Sequence, residues 1–233
     1  MKESQKLQQI ANNLGYSDGV MRFSIKYCHT VISRHLVSGS ILELGPAEGV
    51  MTQLLVQDSS DVSIVEASDK FCANIKSQHP AVEVSNCLFE EFHPVKKFDN
   101  IILGHVLEHV EDPVALLARA QQWLSPGGMI FGSVPNAHSL HRQAAVAMGL
   151  LEKESSLNSA DINHGHRRVF DPDAFRDSFI RAGLTIHQFG GYLLKPLSNK
   201  QIEDQWTPEM IKAFMELGER YPEIAGEIYI VAT

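Results

Sequence analysis

Cysteine is scarce. Cys28, Cys72 and Cys87 are the only three in 233 residues, and none forms a C-x-x-C pair. That spacing excludes a disulfide framework and suits a chain kept reduced in the cytoplasm. Long apolar runs are missing too, so no segment has the length of a membrane span. The opening stretch Met1-Lys-Glu-Ser-Gln-Lys-Leu-Gln-Gln9 lacks the apolar centre of a secretory leader. Positive charge is also in short supply. Twenty Lys and Arg stand against 28 Asp and Glu, a net charge of −8, which argues against a broad nucleic-acid footprint. The one dense basic stretch is His166-Arg167-Arg168. Repeats and low-complexity tracts are absent. Apolar residues are abundant at 44%, enough for a sizeable core in one domain with appended helices.

One further shortage is local. The run Ser40-Ile-Leu-Glu-Leu-Gly-Pro-Ala-Glu-Gly49 breaks from an apolar strand into a glycine turn. A G-x-G-x-x-G dinucleotide fingerprint begun at Gly45 needs glycines at 47 and 50, where Ala47 and Val50 stand. That absence disfavours a nicotinamide oxidoreductase. What remains is E-x-G-x-x-x-G, spelled by Glu43, Gly45 and Gly49. A strand that ends in glycine and feeds a helix leaves backbone N–H groups free for a ligand. Glu43 sits inside the apolar run, where an unpaired carboxylate is costly, so it requires a polar or cationic partner. A second run, Val62-Ser-Ile-Val-Glu-Ala67, carries Glu66 about twenty residues on, where such folds place an acid for a ribose hydroxyl. Two acids and a glycine turn at this spacing describe a nucleoside site.

The remaining pattern is an alternation. Residues 1–38 read as an N-terminal helical segment, in which Ser17-Asp-Gly starts a helix and Val20, Phe23, Tyr27 and Val31 recur at helical spacing. Strands near 40–44, 62–66, 81–85, 98–103 and 129–134 alternate with helices near 49–56, 68–78 and 113–124. This predicts a parallel sheet with helices on both faces and right-handed crossovers. Asp112-Pro113 and Asp171-Pro172 start helices, and Pro126-Gly-Gly is expected to end the first of these. Residues 137–151 read as helix, 152–165 as a polar loop, 184–189 and 227–232 as strands, and 208–221 as helix. About 37 residues separate the last two strands, too many for a hairpin. We therefore expect one domain over 39–233, with insertions at about 136–170 and 190–225 forming a cap over a substrate.

The E-x-G-x-x-x-G spelling resembles motif I of the class I S-adenosylmethionine-dependent methyltransferases, with Ala47 in place of the usual middle glycine. The resemblance runs on through Phe98-Asp-Asn-Ile-Ile-Leu-Gly104, His105-Val-Leu-Glu-His-Val110 and Leu124-Ser-Pro-Gly-Gly-Met-Ile-Phe131. The last two are similar to the "LEH" and "PGG" segments of ubiquinone-type and type 11/12 methyltransferase domains. It implies a Rossmann-like seven-stranded, mostly parallel α/β sheet in the order 3-2-1-4-5-7-6. It also implies an enzyme that binds S-adenosyl-L-methionine and releases S-adenosyl-L-homocysteine. Glu43 would lie near the methionine amino group, Gly45, Pro46, Ala47 and Gly49 would form the turn, and Glu66 with Ala67 would hold the ribose. Cys87 and Leu88 would border the adenine, and the Gly104-His105 turn would face the cofactor. Family members often carry an acid where Cys87 falls. A thiol is a weak acceptor, so Asn86, Glu90 or a backbone carbonyl stands in.

The reaction needs an in-line nucleophile held dry and deprotonated. His105 and His166 are the candidate bases, and His138, His141, His164, Arg167, Arg168 and Tyr192 the candidate acceptor contacts, all near strand ends or in the insertion. The arginines equally suit pairing with Asp171, Asp173 or Asp177. His105-Val-Leu-Glu-His109 also spells the H-x-x-E-H of inverzincin proteases, but it follows a strand where that motif needs a helix, so no metal is expected. The leading expectation is methyl transfer to O, N or C of a small molecule, with no nucleic acid or membrane as partner. A silent cofactor-binding subunit and a protein methyltransferase are the alternatives.

Overall fold

The computed structural model describes residues 17–233, so the part of the N-terminal segment before Ser17 lies outside the described residues. Strands β1 (Ile41–Leu44), β2 (Val62–Val65) and β4 (Phe98–Gly104) are short, branched and apolar, with nearly every residue buried. Continuous burial of this kind marks strands covered on both faces. In register, Glu43 lies beside Ile64 and Ile102, while Leu42 lies beside Ser63 and Ile101. Side chains alternate across the pleat. Leu42, Leu44, Ile101 and Leu103 therefore feed one core, and Ile41, Ile64 and Ile102 feed a second on the opposite face.

Strand β3 (Glu83–Ser85) extends the sheet beyond β2, and β5 (Leu124–Pro135) extends it beyond β4. Strands β6 (Ile186–Tyr192) and β7 (Glu227–Ala232) close it as an antiparallel pair. The order is β3-β2-β1-β4-β5-β7-β6, as the resemblance implied. Helices α1 (Gly19–Ile32), α2 (Val50–Asp58) and α3 (Asp69–Gln78) cover the second core, and α4 (Pro113–Trp123) covers the first. No helix among the described residues is long and apolar enough to cross a membrane.

The cap is less regular than its sequence suggests. Helix α5 spans only Leu140–Ala147, and the expected polar loop carries a short helix α6 (Ser159–His164). Helix α7 (Pro172–Arg181) returns the chain to the first core, where Phe175 and Phe179 are fully buried. Two helices fill the 190–225 insertion: α8 (Asn199–Gln205), which has no clear period in the sequence, and α9 (Pro208–Arg220). Helix α9 packs Ile211 and Met215 into the second core, away from the cap. Gly218 lets it press on the backbone of Tyr192 and Leu193, where a Cβ would collide.

Pro126-Gly-Gly does not end a helix. Helix α4 stops at Trp123, and β5 begins at once. The partner of β4 then jumps from Leu124 to Met129, so Ser125–Gly128 bulges from the ladder. The start of α4 is as expected: Asp112 accepts from the backbone N–H of Ala115 at 3.0 Å, with Pro113 following. Asp112→Ala should cost about 1 kcal/mol, seen as a fall of about 2–4 °C in a thermal melt. An unchanged melt would show that this cap contributes nothing.

Candidate active site

Where β1 and β4 diverge to opposite sides, the carboxyl ends of the strands open a cavity of about 940 Å³. Its first wall is the β1–α2 turn. Gly45 and Gly49 take φ of 64° and 81°, and Ala47 between them takes 47°. The left-handed turn thus explains why glycine suits position 47, although alanine is accommodated. A Cβ on Gly45 would sit 3.1 Å from Val106 Cγ2 and 3.4 Å from Phe89 Cζ.

Glu43 lines this wall at 3% exposure. Its partner is Thr52 in the first turn of α2, whose hydroxyl donates to Oε2 at 2.6 Å. Burial, helped by the charge of Glu66, raises the Glu43 carboxyl to about 8 against the pull of Thr52. A folded-state value raised above the unfolded one stabilises fully below pH 4.5, and that contribution is lost as pH climbs through about 8. The ligand-free protein should therefore lose stability across that window, by at most about 1.4 kcal/mol per pH unit from this group. Glu43→Gln should flatten the slope in melts from pH 5 to 8.5. An unaltered slope would assign it to other groups.

Glu66 follows β2 and accepts from the N–H of Ser68 at 2.8 Å and of Ala47 at 3.3 Å. One carboxylate thereby ties the two turns together. Burial raises its pKa, and those N–H groups oppose the rise. Ala67, Cys87 and Leu88 continue the lining. Of the stand-ins for an adenine acceptor, Asn86 is engaged elsewhere, donating to Asp69 at 2.6 Å, whereas Glu90 lines the cavity.

The far wall is a buried charge cluster. His105, at the end of β4, takes a left-handed φ of 56°. Its Nδ1 lies 3.4 Å from Glu108 Oε1, and its Nε2 lies 3.5 Å from Glu227 Oε2. Burial works against the charge on His105, but the two carboxylates outweigh it and lift the imidazole to about 9. That charge weighs against the expected base role, because a protonated imidazole accepts no further proton. Burial and the adjacent Lys195 and Arg142 push His141 the other way, to about 3. His166, by contrast, lines the cavity from the loop after α6, with Nδ1 3.3 Å from Asp161 Oδ1.

The other expected acceptor contacts divide. His141, His164 and Arg167 line the cavity. Arg168 does not. It donates to the carbonyls of Leu107, Val110 and Glu111 and so clamps the turn that carries Glu108. Arg168 pairs with neither Asp173 nor Asp177, which meet Arg176 and Arg181. His138 stands outside the lining, 3.6 Å from Glu154. Tyr192 is fully buried against Tyr27 and Tyr229 in the second core, so the expectation that it borders the acceptor is corrected: the pleat turns it to the wrong face.

Glu108, Arg142, Asp161, Lys195 and Glu227 line the cavity without having been singled out in the sequence. Glu227 had a signal, an acid opening an apolar strand, like Glu43 in β1. Arg142 had none, because its partners are irregular backbone 12 and 14 residues away and Asp161.

Comparison with known proteins follows the same lines. Residues 13–188 match the family model described as a methyltransferase domain. The ubiquinone biosynthesis O-methyltransferase of Paramagnetospirillum magneticum is 26% identical over 169 residues, which cover 69% of this chain and 65% of that protein. The chain thus spans just under two thirds of that relative. The protein of the same name from Xanthomonas euvesicatoria is 23% identical over 85% of this chain and 86% of its own. Among solved structures, an S-adenosylmethionine-dependent methyltransferase from Mesorhizobium loti superposes with a TM-score of 0.64 at 18% identity, over 94% of this chain and 99% of that one. The glycopeptide N-methyltransferase MtfA in complex with S-adenosylmethionine gives 0.60 at 14%, over 93% and 87%. Identities this low establish the shared fold.

Proposed function

The chain belongs to the methyltransferase-domain family, and from that premise we propose that it moves a methyl group from S-adenosylmethionine to a small-molecule acceptor bound beneath the cap. The observation that carries this reading is the pair of carboxylates, Glu43 and Glu66, set on either side of a left-handed turn at the ends of β1 and β2. When bound, the donor supplies an electrophilic methyl on a sulfonium. The residues fit it. Glu43 is a buried carboxylate with a cavity face and suits an ammonium, while Glu66 suits a ribose diol. Gly45 keeps the turn free of a side chain between them. Leu88 and Phe89 offer an apolar wall to a base, with Glu90 as the polar edge.

The acceptor side is built from the cap. His141, Arg142, Asp161, His164 and His166 close over the strand ends and limit access of water. The O-methylating relatives favour an oxygen nucleophile over nitrogen or carbon. Calorimetry with adenosylhomocysteine and with NADH tests the donor half, and only the former should bind. Turnover with a panel of hydroxylated aromatic metabolites tests the acceptor half. Binding without turnover on any of them would favour the silent-subunit alternative.

A further inference from the structure

We infer that Glu108, His109 and His166 form a binding site for one divalent metal ion, opening on the cavity. One ligand atom from each lies within 4.8 Å of the other two, so modest side-chain rotations bring them to the spacing of about 3.5 Å that bonds of about 2.0–2.2 Å require. Glu108 and His109 lie on the turn after β4, and His166 comes from the cap loop some sixty residues later, so only the fold assembles the set. A helical metalloprotease motif is not involved, because residues 105–109 form turns.

Three observations support a ligand here. Glu108 is fully buried, and beyond the His105 imidazole 3.4 Å away its carboxylate oxygens meet no well-formed hydrogen-bond donor, a state that proteins seldom leave without an ion or water to answer it. Both histidines have a polar neighbour outside the cluster, as metal-binding imidazoles commonly do. His166 presents Nδ1 to Asp161 Oδ1 at 3.3 Å, and the His109 ring is hydrogen-bonded to the Gly165 backbone. Finally, all three side chains line the cavity, so positions not taken by protein face open space within it. His105, between Glu108 and Glu227, keeps Glu227 as its counter-ion when Glu108 turns to the metal.

Two imidazoles and one carboxylate form a borderline donor set that suits zinc better than magnesium or calcium. Three protein ligands leave at least one position open. The open position would take a hydroxyl or carboxylate oxygen of the acceptor, and this last step alone rests on the methyl-transfer reading.

The test is zinc titrated into chelator-stripped full-length protein, followed by calorimetry, with cobalt(II) absorption as an independent signal. One equivalent should bind, and His166→Ala and His109→Gln should each weaken it about tenfold or more. His166 lies on a loop, and the melting curve of each variant confirms its folding. Lack of stoichiometric zinc, or wild-type affinity in both folded variants, overturns the site. Adenosylhomocysteine is titrated in parallel. If it binds and zinc does not, the metal site alone fails. If zinc binds and it does not, the metal site stands and the donor assignment fails.

Discussion

Glu66→Ala should raise the dissociation constant for adenosylhomocysteine about a hundredfold. A carboxylate holding two hydroxyls contributes two charge-assisted hydrogen bonds of about 1.5–3 kcal/mol each, and about 1.4 kcal/mol is a factor of ten in affinity. The variant also frees the N–H groups of Ala47 and Ser68, which Glu66 now holds at 3.3 and 2.8 Å, so the turn loses a tie from β2. Glu66→Gln keeps one acceptor oxygen and should fall between the two. Burial already disfavours the Glu66 charge, which offsets part of the loss of these bonds, and a melt of each variant separates lost binding from lost folding. Unchanged affinity in Glu66→Ala would show that the nucleoside does not sit between β1 and β2.

Arg142→Ala should open the cap while leaving the donor site in place. The guanidinium is 4% exposed and donates to the carbonyl of Glu154 at 2.7 Å, to the carbonyl of Ser156, and to Asp161 Oδ2 at 3.1 Å. Its loss removes the cation from the buried Asp161 carboxylate, which keeps the Asn158 N–H at 2.9 Å and His166 at 3.3 Å, and leaves two carbonyls without their donor, a change that costs up to about 3–5 kcal/mol. Segment 148–166 is largely irregular, so that loss falls on one local unit. The expected outcome is rapid proteolysis or amide exchange between 150 and 166 and a fall in turnover of tenfold or more, with adenosylhomocysteine affinity within about threefold of wild type. A cap still protected from protease would show that other contacts hold it. Asp161 also orients His166, so zinc binding should weaken in the same variant.

Much of the first cavity wall was legible because it is local. Glu43, Gly45 and Gly49 fall within seven residues, and Glu66 follows one crossover later, so a strand period and a turn suffice to bring them together. The far wall is not local. Glu108, Asp161 with His166, and Glu227 come from three separate segments and meet only where β4, β7 and the cap converge. His105 shows the difference most clearly. Its place at a strand end was readable, yet its charge depends on Glu227, more than a hundred residues away. Tyr192 failed for the same reason, since a residue late in β6 faces the cavity or the core according to a register that β7 sets.

The sequence by itself determined the alternation of strands and helices, the order of the sheet through its family resemblance, and the turn with its two acids. Short-range periodicity and backbone preference decide such features, and both are written in neighbouring residues. Only the tertiary structure decided which buried charges face one another, which histidine sits between two carboxylates, and which side chains from distant segments share the far wall. Those outcomes depend on distances between segments far apart in the chain and on how little water reaches them.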